Sequence, residues 1–196
     1  MTEIVKQIKI SLLFLLLCSL LTGLIYPVVI TLIAQVLFPY QANGSILRYQ
    51  DKPIGSALIG QYSDTPNYFW GRPSATTPFP YNSANSLGSN MGPLNPEFLA
   101  AVKKRAATLR QYENKMPLIP VDLVTASASG LDPEISPLAA FYQIPRIAKA
   151  RNISEQEIQI LVNQLIKKRT LYLLGEPRIN VLELNLALDH IRTTHE

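Results

Sequence analysis

The chain has 196 residues, 47% of them hydrophobic, enough for one domain of ordinary size plus a membrane segment but not for two large domains. Its formal charge of +4 is dispersed, the longest basic runs being Lys103-Lys104-Arg105 and Lys167-Lys168-Arg169 inside helical patterns, which speaks against nucleic acid as a partner. The single cysteine, Cys18, excludes an intramolecular disulfide and zinc sites built from several cysteines.

From Ile10 to Phe38 no residue is charged. As a helix this run would be roughly 43 Å long, more than a hydrocarbon core of about 30 Å, so it predicts a tilted or overhanging transmembrane anchor. A cleaved signal peptide would have a shorter apolar region ending at a small-residue site, whereas hydrophobicity here continues from Val28 to Leu37. A lipoprotein reading of Cys18 is opposed by the bulky Leu15-Leu16-Leu17 before it. Lys6 and Lys9 place the N-terminus in the cytoplasm and the bulk of the chain outside it, in a periplasm. The expected organisation is residues 1–9 cytoplasmic, 10–38 anchor, 39–196 extracytoplasmic. Ser19 and Gly23 form a small-xxx-small pair, with Thr22 and Tyr26 beside them, and Pro27 releases the Gly23 carbonyl. These five positions make a docking face for another helix, or the composition common to membrane helices; both readings stand.

Residues 40–95 are rich in Gly, Pro, Ser, Asn and Tyr. Ser45–Tyr49 and Ile54–Ile59 predict strands around the turn Gln50-Asp51-Lys52-Pro53, and Tyr68–Ala75 predicts an aromatic strand entering a proline-rich loop. Ser86–Pro96 holds two glycines and two prolines and predicts an irregular loop. Helices follow. Asn95 caps one that begins at Pro96 and runs to about Glu113; Ser154 and Glu157 form a capping box for a second; Asn180 and Glu183 repeat that spacing for a third. Strands first and helices afterwards predict a single mixed α+β domain after the anchor helix.

Catalytic material is scarce. His190 and His195 both lie in the last seven residues, and the chain has no nucleophile elbow, phosphate-binding glycine loop or calcium loop. The stretch Asp122–Pro133 offers the richest chemistry. Its Ser127-Ala128-Ser129-Gly130 segment reads either as a tight turn or as a nest of backbone N–H groups able to hold an anion, and Asp132-Pro133 and Ser136-Pro137 read as turn and helix-start signals. No metal site or catalytic residue is assigned.

The chain as a whole resembles the KdpC family, which belongs to the bacterial high-affinity potassium-transporting ATPase, the Kdp system. The likeness runs through Leu21–Pro27, Gly55–Gln61, Tyr68–Ser74, Gly88–Asn90, Asp122–Pro133, Tyr142–Arg151 and Asn180–Asp189. Glu134 stands where many members carry histidine. The resemblance implies a single-span inner-membrane subunit assembled with a channel-like potassium-binding subunit, a P-type ATPase subunit and a small single-span subunit. It implies a non-catalytic chaperone that raises the ATP affinity of the hydrolysing subunit, with no tightly bound cofactor and ATP shared with that subunit. The missing aspartyl-phosphate loop, Asp-Lys-Thr-Gly-Thr, agrees. For direct nucleotide contact, the expected residues are Ser127, Ser129, Gly130 and Gln143, since a glutamine amide can bond a base or ribose and backbone N–H groups can hold phosphate. The extracytoplasmic topology favours instead a stabiliser of the complex, a cover over the external potassium entrance, or a free-standing periplasmic binding module. An anchored hydrolase using the serines is the remaining alternative.

Overall fold

The computed structural model describes residues 2–112 and 118–193, so Glu113 and His195 lie outside the described residues. The chain divides into two compact units at Ile46/Leu47. The first holds α1 (Thr2–Leu20), one π-helical turn (Leu21–Ile25), α2 (Tyr26–Leu37) and the short α3 (Pro39–Ala42). From Thr2 to Leu37 it is a single 36-residue helical run, apolar and long enough to cross a membrane. The π turn ends one residue short of Pro27, with Tyr26 between them. Pro27 has no N–H to offer the Gly23 carbonyl, and the ladder widens upstream of it, with the Tyr26 N–H donating to the Leu21 carbonyl. The Thr22 hydroxyl donates to the Cys18 carbonyl at 2.7 Å.

The second unit combines two small two-stranded sheets with four helices. β1 (Ile46–Tyr49), which starts at the junction, pairs with β2 (Lys52–Ser56). Gln50 and Asp51 both have positive φ, 48° and 62°, so the hairpin closes through a two-residue turn. The expected four-residue turn is thereby corrected: Lys52 and Pro53 belong to the strand, and the strand stops at Ser56 rather than Ile59. From Ala57 to Asn95 no regular element forms. Then come α4 (Pro96–Tyr112), a 3-10 turn (Val121–Leu123), β3 (Glu134–Ile135), α5 (Pro137–Arg151), α6 (Glu155–Leu165), β4 (Ile179–Asn180) and α7 (Val181–Thr193). β3 and β4 pair antiparallel, Glu134 opposite Asn180.

The helix starts follow their caps. Asn95 Oδ1 accepts from the Glu97 N–H at 2.8 Å, Ser154 and Glu157 form the reciprocal box, and Asn180 Oδ1 accepts from the Glu183 N–H at 3.0 Å. Ser136 caps α5, and Asn152 ends it in the left-handed conformation. α5 is the central helix: Ala139, Ala140, Tyr142, Ile144 and Ile147 are buried beside Ile158 and Val162 of α6 and Leu184 and Leu188 of α7. The His190 ring, near the end of α7, lies 5.5 Å from that of Tyr49.

The aromatic strand expected at Tyr68–Ala75 does not form. The segment is extended but has no strand beside it, because side chains take the place of a neighbour. The Phe69 N–H donates to Asn185 Oδ1 at 2.8 Å and the Asn185 amide returns a bond to the Phe69 carbonyl at 3.0 Å. The Trp70 N–H donates to Gln143 Oε1 at 2.7 Å and the Gln143 amide returns one to the Trp70 carbonyl at 3.1 Å. Arg146, 3% exposed, donates to the carbonyls of Pro66 and Tyr68 and lies 4.0 Å from the Trp70 ring centroid. Arg151 donates to the Asn67 carbonyl and pairs with Asp189, whose other oxygen accepts from the Tyr68 hydroxyl.

Gln143 is fully buried, so an apolar replacement leaves both polar groups of Trp70 unpaired. At about 1–2 kcal/mol for each of the two unsatisfied groups, Gln143→Leu is expected to cost roughly 2–4 kcal/mol. Thermal unfolding of the detergent-solubilised chain checks this: the melting temperature should drop by about 5–15 °C. In the control, Gln159→Leu on the exposed side of α6, stability should move by no more than about 0.5 kcal/mol.

Candidate functional site

The stretch richest in chemistry is built into the irregular part of the second unit. Asp122 Oδ2 accepts from the Ser136 N–H at 2.7 Å, tying the 3-10 turn to the start of α5. Ser127 is 3% exposed; its N–H donates to the Pro73 carbonyl and its hydroxyl oxygen accepts from the Gly130 N–H at 2.9 Å. The Ser129 hydroxyl oxygen accepts from the Leu131 N–H at 3.1 Å, and the Ser129 carbonyl accepts from the Leu87 N–H and the Ser86 hydroxyl. Gly130 has φ +70°, and its carbonyl accepts from the Ser74 hydroxyl at 2.7 Å. A Cβ on Gly130 would fall 2.6 Å from the Leu87 carbonyl oxygen, and one on Gly88 would fall 2.6 Å from that of Ala128. Glycine at both positions lets three strands of irregular chain, near residues 74, 87 and 129, approach to backbone distance.

The N–H groups of Ser127, Gly130 and Leu131, which an anion nest would offer, therefore point at oxygens of the same chain. The Gln143 amide is likewise engaged, with Trp70, the Ala139 carbonyl and Arg146. Asp132 accepts from the Glu134 N–H and pairs with Arg72 at 3.1 Å, while Glu134 itself pairs with Arg178 at 2.9 Å. Among the described residues no group of three or more His, Cys, Asp or Glu side chains is placed to hold a metal.

A cleft of about 440 Å³ opens between α4 and the segment from Tyr62 to Tyr81. Arg72, Lys104 and Arg105 line it with Asp64, Ser74 and Tyr81; Ser127, Ser129, Gly130 and Gln143 are not among its lining residues. The Arg105 guanidinium donates to the Val124 carbonyl at 3.0 Å, and burial pulls its pKa down. Arg72 Nε is buried without a hydrogen-bond partner among the described residues. The Tyr81 hydroxyl donates to the Arg72 carbonyl. Burial, reinforced by the charge of Asp132 and partly offset by Arg72, pushes the Tyr81 phenol up to about 12. This cleft has no signature in the linear order, because α4 and the Tyr62–Tyr81 segment meet only in the fold. The one trace is the basic triplet Lys103-Lys104-Arg105, a pattern that suits an ordinary solvated helix face equally well.

Of the residues read as a helix-docking face, Ser19, Thr22, Gly23 and Tyr26 all lie on exposed surface at or next to the π turn, and a Cβ on Gly23 would meet nothing within 4 Å. Almost all of the rest of the helical run is exposed as well, so what marks this face is the room for close approach at Gly23.

Tyr81 has a pH consequence. Its folded pKa is raised, so the stabilisation of its neutral form is complete below the unfolded value of 10 and is lost as pH rises through about 12. A shift of that size corresponds to about 2–3 kcal/mol. Denaturant titrations at pH 9 and pH 12 should show the wild-type chain losing about that much more stability than Tyr81→Phe.

Comparison with known proteins places this architecture. The sequence model of the KdpC family, described as K+-transporting ATPase, c chain, matches residues 8–190. The potassium-transporting ATPase KdpC subunit of Herpetosiphon aurantiacus is 58% identical over 177 residues, covering 89% of this chain and 91% of the relative. Its counterpart in Burkholderia ambifaria is 56% identical over 175 residues, with the same coverage of 89% and 91%. That of Methylococcus capsulatus is 53% identical over 190 residues, 96% of this chain and the whole of the relative. By a match over nearly its full length, the chain belongs to the KdpC family of the K+-transporting ATPase.

Proposed function

We propose that this chain is an accessory subunit of the ATP-driven potassium-import complex, anchored by one helix with its bulk on the extracytoplasmic side. It stabilises the assembly and raises the ATP affinity of the hydrolysing subunit through contacts with its partners, contributing no catalytic group. The observation that carries this reading is the internal commitment of its polar groups. The hydroxyl oxygens of Ser127 and Ser129, the N–H groups of Ser127 and Gly130 and the amide of Gln143 all bond within the chain, as in a scaffold rather than a reactive site. The open stripe of Ser19, Thr22, Gly23, Tyr26 and Pro27 supports the other half, a helix that packs against a membrane helix of a partner. The partners are the potassium-binding channel-like subunit, the P-type ATPase subunit and the small single-span subunit.

A second reading, direct contact with ATP, is favoured by one observation: the cleft that gathers Arg72, Lys104 and Arg105 has the charge to receive phosphates. Nucleotide titration of the purified complex separates the two. Removing this chain is expected to weaken ATP binding by roughly tenfold, within the usual range of coupling between sites. A Lys104→Glu complex should bind ATP as tightly as wild type if the effect is indirect, and should match the chain-less complex if the cleft holds phosphate. A reporter fused after Glu196 that is active only in the periplasm supports the indirect route; activity only in the cytoplasm overturns it. Unchanged ATP affinity without the chain would leave the role of a cover over the potassium entrance.

A further inference from the structure

The segment Lys167–Arg178 is a projecting β-hairpin. Lys167 and Arg178 exchange backbone hydrogen bonds of 2.8 and 3.0 Å, and Thr170 and Leu174 exchange two of 2.9 Å. Its tip is unusual in two respects. Leu171 and Tyr172 both have positive φ, 53° and 61°, a pair of conformations that two-residue turns normally assign to asparagine and glycine, because Cβ crowds a backbone carbonyl oxygen there, which glycine avoids and a short polar side chain offsets. The tip is also apolar and bare: Leu171 is 78% exposed, Tyr172 81%, Leu173 80% and Leu174 62%. Four consecutive large apolar side chains on a strained turn are not what folding of the domain requires, since none of them enters its core.

The hairpin is tied to the domain and across itself by ion pairs. Lys167 pairs with Glu183 at 2.9 Å, Arg178 with Glu134 at 2.9 Å, and Arg169 with Glu176 across the hairpin at 2.7 Å. These pairs also decide what the tip fits. A surface made to settle on anionic lipid would keep its cations free for head groups. Here three of the four hairpin cations are neutralised, and Lys168 is left without an ion-pair partner among the described residues. A second copy of the chain would bring two such lysines together. A stiff, nearly neutral, apolar plug with one cation beside it matches a protein socket with an apolar floor and a carboxylate at its edge.

We infer that the Leu171–Leu174 tip docks into such a socket on another subunit of the same potassium-import complex. This rests on the reading of the chain as a subunit of that complex. The tip is then a preorganised anchor, its turn strain maintained because side chains at positions 171 and 172 are needed outward.

The test uses the full complex purified through a tag on the hydrolysing subunit. The double variant Leu171→Asn/Tyr172→Gly installs the residues such a turn prefers, so the isolated chain should melt at the same or a higher temperature. Its recovery with the complex should nevertheless fall about 30-fold, the scale for loss of a buried anchor. Full recovery of the variant overturns the docking tip, whereas failure of the wild-type chain to co-purify overturns complex membership itself. Benzoylphenylalanine placed at Leu173 in membranes holding the whole complex should cross-link to a different subunit. Adducts only with lipid, only with a second copy of this chain, or with nothing also overturn the proposal.

Discussion

Two side-chain amides hold the extramembrane unit together. A glutamine or asparagine amide offers one donor and one acceptor in the same relation as a peptide group, so it can pair with an extended backbone as a neighbouring strand would. Asn185 does this for Phe69 from α7, and Gln143 does it for Trp70 from α5. The consequence reaches beyond four hydrogen bonds. Phe69 is carried into the core with no exposure, and two helices are referenced to a single piece of chain. Arg146 completes the arrangement. A buried guanidinium would be costly alone, but here carbonyl oxygens of Pro66 and Tyr68, the Gln143 amide oxygen and the face of Trp70 surround it.

With that clasp in place, a long stretch without helix or sheet can still be ordered. Segments of irregular chain pair through single backbone bonds, Gly60 to Leu131, Leu87 to Ser129 and Ser127 to Pro73, with hydroxyls of Ser74 and Thr76 filling the intervals. Ser74 alone donates to the Gly130 carbonyl and accepts from the N–H groups of Thr76 and Tyr81. Polar residues here satisfy backbone that has no ladder to join. The unit is therefore ordered where it is irregular, and its hairpin tip carries four consecutive exposed apolar residues, Leu171–Leu174. That combination suits a part that meets other proteins.

The features legible in the sequence are those whose cause lies within a few residues. Asn95, Ser154 with Glu157, and Asn180 cap helices through bonds spanning two or three positions, and the anchor is written as uninterrupted apolar composition. Tyr68–Ala75 has strand-like residues, yet its partners are side chains 73 and 116 positions away, beyond any local pattern. The 167–178 hairpin is hidden for a related reason: Leu171-Tyr172 carries none of the usual turn chemistry, so Thr170–Leu174 reads as a continuation of an apolar run. Pro27 does mark a break in the helix ladder, but whether the ladder kinks or widens into a π turn depends on how the upstream carbonyls are satisfied, here partly by Thr22. For Ser127, Ser129 and Gly130 the residue types suit a turn and a nest equally; what distinguishes them is which oxygens face the N–H groups, the distant Pro73 carbonyl for Ser127 and serine hydroxyls of the loop itself for Gly130 and Leu131.

The proposed effect on nucleotide affinity fits such a scaffold through linkage. A protein that binds the hydrolysing subunit more tightly in its ATP-competent conformation than in others shifts that conformation's population, and needs no atom near the nucleotide to do so. The coupling is reciprocal: whatever factor the chain adds to ATP binding, ATP must add to the chain's hold on the complex. A stiff docking surface serves this well, because a compliant one would follow both conformations with equal affinity and shift neither. On the proposed topology, rigidity in the clasp and in the hairpin would let a domain on one side of a membrane bias chemistry on the other.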